Sequence, residues 1–132
     1  MAIWPFRKRN RSLGETGEDM ACRYLKYHGL KILARNYRCP HGEIDIIAFD
    51  EDSASHFGTN CIVFAEVKTR RSDAYTSPAS AVDEDKRRRI KKVAAYYLTH
   101  RRAGDMSVRY DIISIVMGEG QPRVQHIAGA FS

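Results

Sequence analysis

The 132-residue sequence predicts one α/β domain, in which helices pack on a mixed β-sheet. Two segments repeat apolar residues at the three- and four-residue spacing of a helix. Five others have the apolar runs or alternation typical of strands. Their order along the chain is helix, three strands, helix, strand and strand, an arrangement in which helices cover a sheet.

The first helix is predicted to begin after Ser12 and to continue to about His28. Ser12 and Glu15 have the spacing of a capping box, in which each side chain binds a backbone amide at the start of the helix. Gly29 then serves as the C-terminal stop. The apolar stripe comprises Gly17, Met20, Ala21, Tyr24, Leu25 and His28, and Glu18 lies on its flank.

Three strands are predicted to follow this helix, over residues 30–37, 43–49 and 61–69. The sequence CPHG has turn chemistry and separates the first two strands. A polar loop over residues 50–60 separates the second strand from the third.

A second helix and two more strands complete the predicted domain. The helix is predicted over residues 83–102, because Pro78 and the Ser80/Asp83 pair mark its beginning and Gly104 follows as a stop. Its apolar stripe comprises Ile90, Val93, Ala94, Tyr97 and Leu98. A fourth strand is predicted over residues 108–116 and a short fifth strand over residues 123–127.

The charge of the chain indicates a polyanionic partner. Lys and Arg exceed Asp and Glu by 22 to 16, a net charge of +6, which favours nucleic acid or an anionic membrane surface. Residues 1–12 are predicted to form a flexible basic arm ahead of a single domain at 13–132. The cations of this arm are Arg7, Lys8, Arg9 and Arg11. The arm is either a solvated tail or a phosphate contact whose aromatic residues stack on bases.

The cysteine pattern and the hydropathy indicate a cytoplasmic protein. Cys22, Cys39 and Cys61 are scattered and form no CxxC pair. An odd, scattered set argues against a disulfide framework and predicts a reducing compartment. No apolar stretch approaches the roughly 18 residues that a membrane span needs.

Charged side chains interrupt the second and third predicted strands, on one face of each. Alternate residues of a strand share a face, so Glu66 and Lys68 share one face of the third strand. Asp45 shares a face of the second strand with Glu43. The opposite face of the second strand is then expected to comprise Ile44, Ile46 and Ala48.

Antiparallel pairing of these two strands would place Asp45 beside Glu66, at about 5 Å. Two carboxylates this close destabilise each other unless a cation lies between them, and Mg²⁺ or Mn²⁺ suits such oxygen ligands. Lys68, about 7 Å along the strand from Glu66, could then activate a metal-bound water or stabilise negative charge. Such a site suits phosphodiester hydrolysis. The alternative is a Glu–Lys pair on a solvated sheet face.

The segments GEIDII and FAEVKTRR resemble the D…E-x-K core of the PD-(D/E)XK nuclease superfamily. With GETGEDMACRYL, LARNYR, RYDIISI and HIAGAF, they are similar to the YraN-like family of predicted endonucleases, relatives of the archaeal Holliday junction resolvases. The resemblance covers nearly all of residues 13–131. It implies a restriction-endonuclease-like αβββαβ fold and a metal-dependent endonuclease that acts on DNA, with branched or single-stranded DNA among the candidate substrates; DNA is favoured over RNA, which stays open. The alternative is a nucleic-acid-binding protein that keeps this fold without turnover.

The resemblance also implies a role for individual residues. Asp45 and Glu66 would bind Mg²⁺ or Mn²⁺, and Lys68 would be the catalytic lysine. Glu18 is similar to an additional acidic residue of the family, which would join both catalysis and metal binding; otherwise it is a solvated carboxylate at a helix edge. Lys86 falls where related nucleases often place a Gln or Lys; otherwise it belongs to a solvated basic helix face.

Nucleic acid would contact a basic groove. Arg70, Arg71 and Lys86, together with the four cations of the arm, are expected to neutralise phosphates there. Resolvase relatives act as dimers, so the resemblance also implies a homodimer. One departure from the superfamily pattern is Ile44, which stands before Asp45 in place of proline.

Overall fold

A computed structural model describes residues 13–51, 60–71, 83–118 and 120–132, and within them it contains two helices and five strands. The helices are α1 (Leu13–Tyr27) and α2 (Glu84–His100). The strands are β1 (Lys31–Cys39), β2 (Gly42–Asp50), β3 (Cys61–Arg71), β4 (Ser107–Met117) and β5 (Arg123–Phe131). Their order is the predicted one. The basic arm and Ser12 lie outside the described residues.

The five strands form one mixed sheet in the order β1-β2-β3-β4-β5. All neighbouring strands are antiparallel except β3 and β4, which are parallel. A parallel pair needs a long connection, and α2 lies within the connection between β3 and β4. This arrangement confirms the predicted α/β sheet and is consistent with an αβββαβ fold, to which β5 adds an antiparallel edge strand.

Each helix covers one face of the sheet. On the α1 face the buried cluster includes Met20, Ala21, Leu25, Ile46, Ala48, Val63, Ala65, Ile113 and Ile115. On the α2 face it includes Ile44, Ile47, Ile62, Phe64, Ile90, Val93, Ala94, Tyr97 and Ile112. Because both faces are covered, the central strands are apolar on both sides.

The end of α1 follows the prediction. Gly29 has a φ of 89°, the left-handed conformation that glycine adopts without strain. Its N–H donates to the carbonyl of Lys26 at 3.0 Å, and the N–H of Leu30 donates to that of Leu25 at 2.9 Å. These two bonds form a Schellman motif, which satisfies carbonyls that the helix leaves unpaired. His28, assigned to the apolar stripe, is exposed.

The end of α2 differs from the prediction, whereas its beginning agrees. Asp83 is the N-cap and accepts a hydrogen bond from the backbone N–H of Lys86 at 2.9 Å. The helix ends at His100, and the left-handed residue after it is Arg102, with a φ of 53°. Gly104 is therefore not the stop, because Arg102 already occupies the position that terminates a helix in this motif.

The fifth strand is longer than predicted, because a local irregularity lets pairing continue through Gly129. Gly129 has a φ of 62°, and its N–H donates to Asp111 Oδ1 at 3.0 Å. Pairing then resumes between Phe131 and Tyr110 of β4. The small residues in HIAGAF therefore mark a bulge rather than the end of the strand.

A buried ionic network joins β2, β4 and β5 on the sheet. Arg109 donates to both carboxylate oxygens of Asp111, at 2.9 and 3.0 Å, and also contacts Asp50. His126 Nε2 lies 2.6 Å from Asp111 Oδ2. Burial raises the pKa of Asp111, but the hydrogen bonds to His126 and Arg109 outweigh it and hold that pKa below its usual value. Removing one partner of such a network leaves an unpaired buried charge.

Neither helix in the described ranges is long and apolar enough to cross a membrane.

Candidate active site

The register between β2 and β3 brings Asp45 and Glu66 together. The last regular pair is Ile46 with Ala65, and the next position in this antiparallel register joins Asp45 with Glu66. There the ladder ends, and Asp45 Oδ2 accepts the backbone N–H of Val67 at 2.8 Å. A side chain thus satisfies a backbone donor that the neighbouring strand no longer reaches.

An irregularity in β1 lies directly beside Asp45. Asn36 has a φ of 49°, a left-handed conformation that is uncommon for a residue other than glycine. The pairs Arg35 with Ile46 and Tyr37 with Ile44 place Asn36 opposite Asp45. The strained residue therefore adjoins the carboxylate that the sequence assigned to the site.

The side chains of β2 do not alternate regularly beside this irregularity. The sequence predicted that Ile44 shares a face with Ile46 and Ala48, and that prediction is wrong. Ile44 packs with Ile47 on the α2 side, whereas Ile46 and Ala48 pack on the α1 side. The alternation of side chains along β2 is therefore interrupted at Asp45, opposite the left-handed Asn36. Asp45 lies where the strand changes face, so groups from both helices can approach it.

Three carboxyl groups from three elements interact at this point. Asp45 forms side-chain hydrogen bonds with Glu66 of β3 and with Glu18 of α1. Burial and the neighbouring charge of Glu66 raise the pKa of Asp45 from 3.8 to about 7. Burial and the charge of Asp45 raise the pKa of Glu18 as well, against an opposing hydrogen bond from Asn36. The predicted grouping of these three residues is therefore present in the fold.

A close contact between α1 and β3 positions Glu18. A Cβ atom built on Gly17 would lie 1.8 Å from Thr69 Oγ1 and 2.9 Å from Thr69 Cβ. Only glycine lets the helix approach the strand this closely. A second contact, between Arg35 Nη2 and Asp19 Oδ1 at 2.7 Å, joins α1 to β1. The helix is thus held to the sheet on both sides of Glu18.

The other helix contributes cations to the same site. Lys86 Nζ lies 3.5 Å from Glu66 Oε1. A cavity of about 290 Å³ adjoins this ion pair, and its lining residues are Gly42, Glu43, Glu66, Lys86, Arg89 and Ile90. Glu43 and Glu66 therefore place carboxylates at the cavity, and Lys86 and Arg89 place cations there. This combination can hold a divalent cation and a phosphate group next to each other.

The remaining predicted residues differ in accessibility. Lys68 is exposed and is two residues from Glu66 in β3. Arg71 is exposed at the end of the same strand. Arg70, in contrast, is only 7% exposed, so little of its side-chain surface is accessible to a phosphate. Arg7, Lys8, Arg9 and Arg11 lie outside the described residues.

The donor set fits a hard divalent cation, although its present arrangement is not a finished metal site. All three groups offer carboxylate oxygens, which Mg²⁺ and Mn²⁺ prefer. Among the residues that the structure describes, no three His, Cys, Asp or Glu side chains stand ready to hold a metal ion. The carboxyl groups bond to one another instead, so an ion would compete with the proton that the raised pKa of Asp45 favours.

Two residues of this site were not identified from the sequence as functional. Asn36 hydrogen-bonds Glu18 and shapes the backbone beside Asp45, and Gly17 sets the height of α1 above β3. A signal for Asn36 was available, because asparagine is a poor strand former and tolerates left-handed backbone. No comparable sequence signal was available for Gly17, because a glycine on the apolar stripe of a helix does not reveal which side chain it faces.

The chain resembles a set of bacterial proteins over nearly its whole length. It is 45% identical over 122 residues to a UPF0102 protein of Geobacter metallireducens, covering 92% of this chain and 93% of the relative. It is 42% identical over 123 residues to UPF0102 proteins of Syntrophus aciditrophicus and Rhodococcus opacus, covering 91% and 98% of those relatives. Residues 17–115, which include all three carboxylates of the site, match the family model described as "Uncharacterised protein family UPF0102". The chain belongs to this family, UPF0102, which is the YraN family.

Proposed function

We propose that this protein is a metal-dependent endonuclease that hydrolyses phosphodiester bonds in DNA. The observation that carries the proposal is the convergence of Glu18, Asp45 and Glu66, from a helix and two strands, beside a cavity lined by both carboxylates and cations. A protein that needed these carboxylates only for stability would not bring them within hydrogen-bonding distance of one another, because the arrangement opposes their ionisation.

Asp45 and Glu66, joined by Glu18, would hold Mg²⁺ or Mn²⁺. Their oxygen donors and the mutual repulsion of their charges both favour a cation at this position. A bound ion would polarise the phosphate and lower the pKa of an attacking water. Asn36, through its hydrogen bond to Glu18, would keep that carboxylate directed toward Asp45.

The two lysines would act on the substrate. Lys68 is exposed on the strand that carries Glu66, so its ammonium would stabilise the negative charge that develops on the phosphate. Lys86 lines the cavity, where it would both orient Glu66 and contact a phosphate. Arg89 lines the same cavity and would neutralise an adjacent phosphate.

The net charge of +6 supports a nucleic acid partner, DNA in preference to RNA by the family resemblance. Free thiols at Cys22, Cys39 and Cys61 support a cytoplasmic location. The homodimer implied by the resemblance stays a prediction.

A cleavage screen tests the proposal. Single-stranded, duplex, flap and four-way DNA would be incubated with the full chain and Mg²⁺ or Mn²⁺, and products resolved on denaturing gels. We expect cleavage by the wild type and its loss in Asp45→Asn, Glu66→Gln and Lys68→Ala, each with DNA binding retained within a few-fold. Glu51→Gln, a change of an exposed carboxylate directly after the strand that carries Asp45, is the matched control and should cleave normally.

The outcomes separate the proposal from its alternative. Binding of DNA without cleavage of any substrate would support a non-catalytic nucleic-acid-binding protein. Equal cleavage by the wild type and the three site variants would show that these residues do not form the active site.

A further inference from the structure

An aromatic cluster lies on the surface of α2, beyond the carboxylate site. Its members are His41 from the turn between β1 and β2, and Tyr96 and His100 from α2. The Tyr96 and His100 rings stack with centroids 3.9 Å apart and an interplanar angle of 21°. His41 approaches Tyr96 edge-on at 6.0 Å. His41 and His100 are exposed and Tyr96 is half-buried, so the cluster contributes little to the core.

The cluster is continuous with the cavity at the carboxylate site. His41 is followed directly by Gly42, which lines that cavity together with Glu66. A Cβ atom built on Gly42 would lie 3.6 Å from Val93 Cγ2, so the turn lies against the middle of α2. The turn therefore contacts α2 between the cavity and the aromatic rings.

The spacing of α2 residues places cations and aromatic rings on one side of the helix. Lys86, Arg89, Tyr96 and His100 lie on neighbouring turns of one side of the helix, at separations close to multiples of its 3.6-residue repeat. Lys86 and Arg89 line the cavity, and Lys92 is exposed between them and the rings. At 1.5 Å per residue, Tyr96 is about 15 Å along the axis from Lys86. A stacked nucleic acid strand covers this distance with about four nucleotides at ~3.4 Å each.

We propose that the aromatic cluster His41–Tyr96–His100 binds an unpaired nucleobase of the DNA strand whose phosphates contact Lys86 and Arg89. The proposal rests on the proposed function, and it specifies the substrate as DNA with a single-stranded segment within about four nucleotides of the cleaved bond. Bases inside a duplex are stacked and paired, so they cannot stack on a protein ring without being extruded. Aromatic rings beside a cationic track are the means by which proteins bind single strands.

A purely local role for the cluster is the competing explanation. Tyr96 and His100 are four residues apart, and such pairs stabilise a helix by a few tenths of a kcal/mol. That role requires no contribution from His41, which belongs to a different element. Tyr27, the last residue of α1, and the adjacent His28 form an exposed edge-on pair as well, with centroids 5.3 Å apart, and provide a control away from α2.

The test measures binding without cleavage. Fluorescence anisotropy with the full-length wild type in EDTA would give Kd for a labelled 12-nucleotide single strand and for the matched duplex. Tyr96→Ala should weaken single-strand binding at least about fivefold, the lower range for loss of one base stack. It should leave duplex binding unchanged, and Tyr96→Phe, which keeps the ring, should bind as the wild type. Tyr27→Ala should have no effect.

An abasic scan of the single strand identifies the base. One abasic position should weaken wild-type binding by the same factor as Tyr96→Ala, and this loss should vanish in Tyr96→Ala, because the stacking partner is already absent. Thermal melts would confirm that the variant is folded. If it is not, His41→Ala and His100→Ala replace it and should each weaken single-strand binding.

The result does not depend on catalysis. A position-specific abasic effect without cleavage under any condition would support the base-binding site and refute the nuclease. Cleavage with equal single-strand affinity for the wild type, Tyr96→Ala and His41→Ala would support the nuclease and refute the base-binding site. Equal weakening of single-strand and duplex binding by Tyr96→Ala would also overturn it, because such a loss is not specific to unpaired bases.

Discussion

Replacing Asp45 with asparagine should make the stability of the metal-free protein less sensitive to pH. In the folded state, burial and the nearby Glu66 raise the pKa of Asp45 from 3.8 to about 7. Between these two values the folded state binds more protons at this position than the unfolded chain does. The free energy of unfolding therefore falls as the pH rises through this window, and the group has no effect below it.

The magnitude follows from the size of the shift. A rise of about three pKa units corresponds to a full penalty of about 4 kcal/mol once the pH exceeds the folded-state value. Part of it is already present at pH 5, so about 2 kcal/mol or slightly more develops between pH 5 and pH 8. Asparagine at position 45 carries no charge. Its amide oxygen can still accept the backbone N–H of Val67, which Asp45 Oδ2 accepts at 2.8 Å in the wild type.

Urea unfolding in EDTA at pH 5, 6, 7 and 8 would measure this difference directly. The free energy of unfolding of the wild type should fall toward high pH by about 2 kcal/mol more than that of Asp45→Asn. Glu43→Gln is the matched control, because Glu43 is exposed on the same strand and pairs with Arg38 at 3.1 Å. Its curve should run parallel to that of the wild type. Parallel curves for the wild type and Asp45→Asn would refute the repulsion between the carboxylates.

Three further predictions address the metal, the helix packing and the basic arm. Mn²⁺ at ten times its Kd should raise the stability of the wild type by about 1.4 kcal/mol, and that of Asp45→Asn by less; equal gains in thermal melts would exclude binding at this site. Gly17→Ala should destabilise the fold by about 1–3 kcal/mol through overlap with Thr69, and Thr69→Ala should recover part of this stability in urea melts. Deletion of residues 1–11 should reduce the log–log slope of DNA affinity against salt concentration by up to ~0.9 for each phosphate that the arm neutralises; an unchanged slope would identify a solvated tail.

The sequence was informative where a pattern is local. Each strand and helix shows its own periodicity, so all seven elements were predicted in order. The pairing of Asp45 with Glu66 also followed, because two strands joined by one loop commonly pair antiparallel and the register then needs only the apolar residues to match. The predicted strand ends were shorter than the observed ones. Flanking polar residues such as Arg38 and Arg71 give no apolar signal although their backbones still pair.

The sequence failed where one backbone angle decides the outcome. Alternation placed Ile44 with Ile46, and it would have been right in a regular strand. The alternation along β2 is interrupted at Asp45, opposite the left-handed Asn36, and no pattern of apolar residues reports such a change. The same limitation applies to Gly129, where a bulge prolongs β5, and to Arg102, which replaces Gly104 at the end of α2.

The irregularity at Asp45 and Asn36 has a consequence for the site. In a regular β2, Asp45 would face only one helix, and the three carboxylates could not all meet, because Glu18 lies on the α1 side and Lys86 reaches Glu66 from the α2 side. The change of face at Asp45 removes this restriction. The left-handed backbone of Asn36 costs about 1–3 kcal/mol for a residue other than glycine, an amount that a fold retains when surrounding contacts require the conformation. The hydrogen bond from its side chain to Glu18 supplies one such contact. A glycine at this position would relieve the strain but could not form that bond. The asparagine therefore both adopts the left-handed backbone and hydrogen-bonds Glu18.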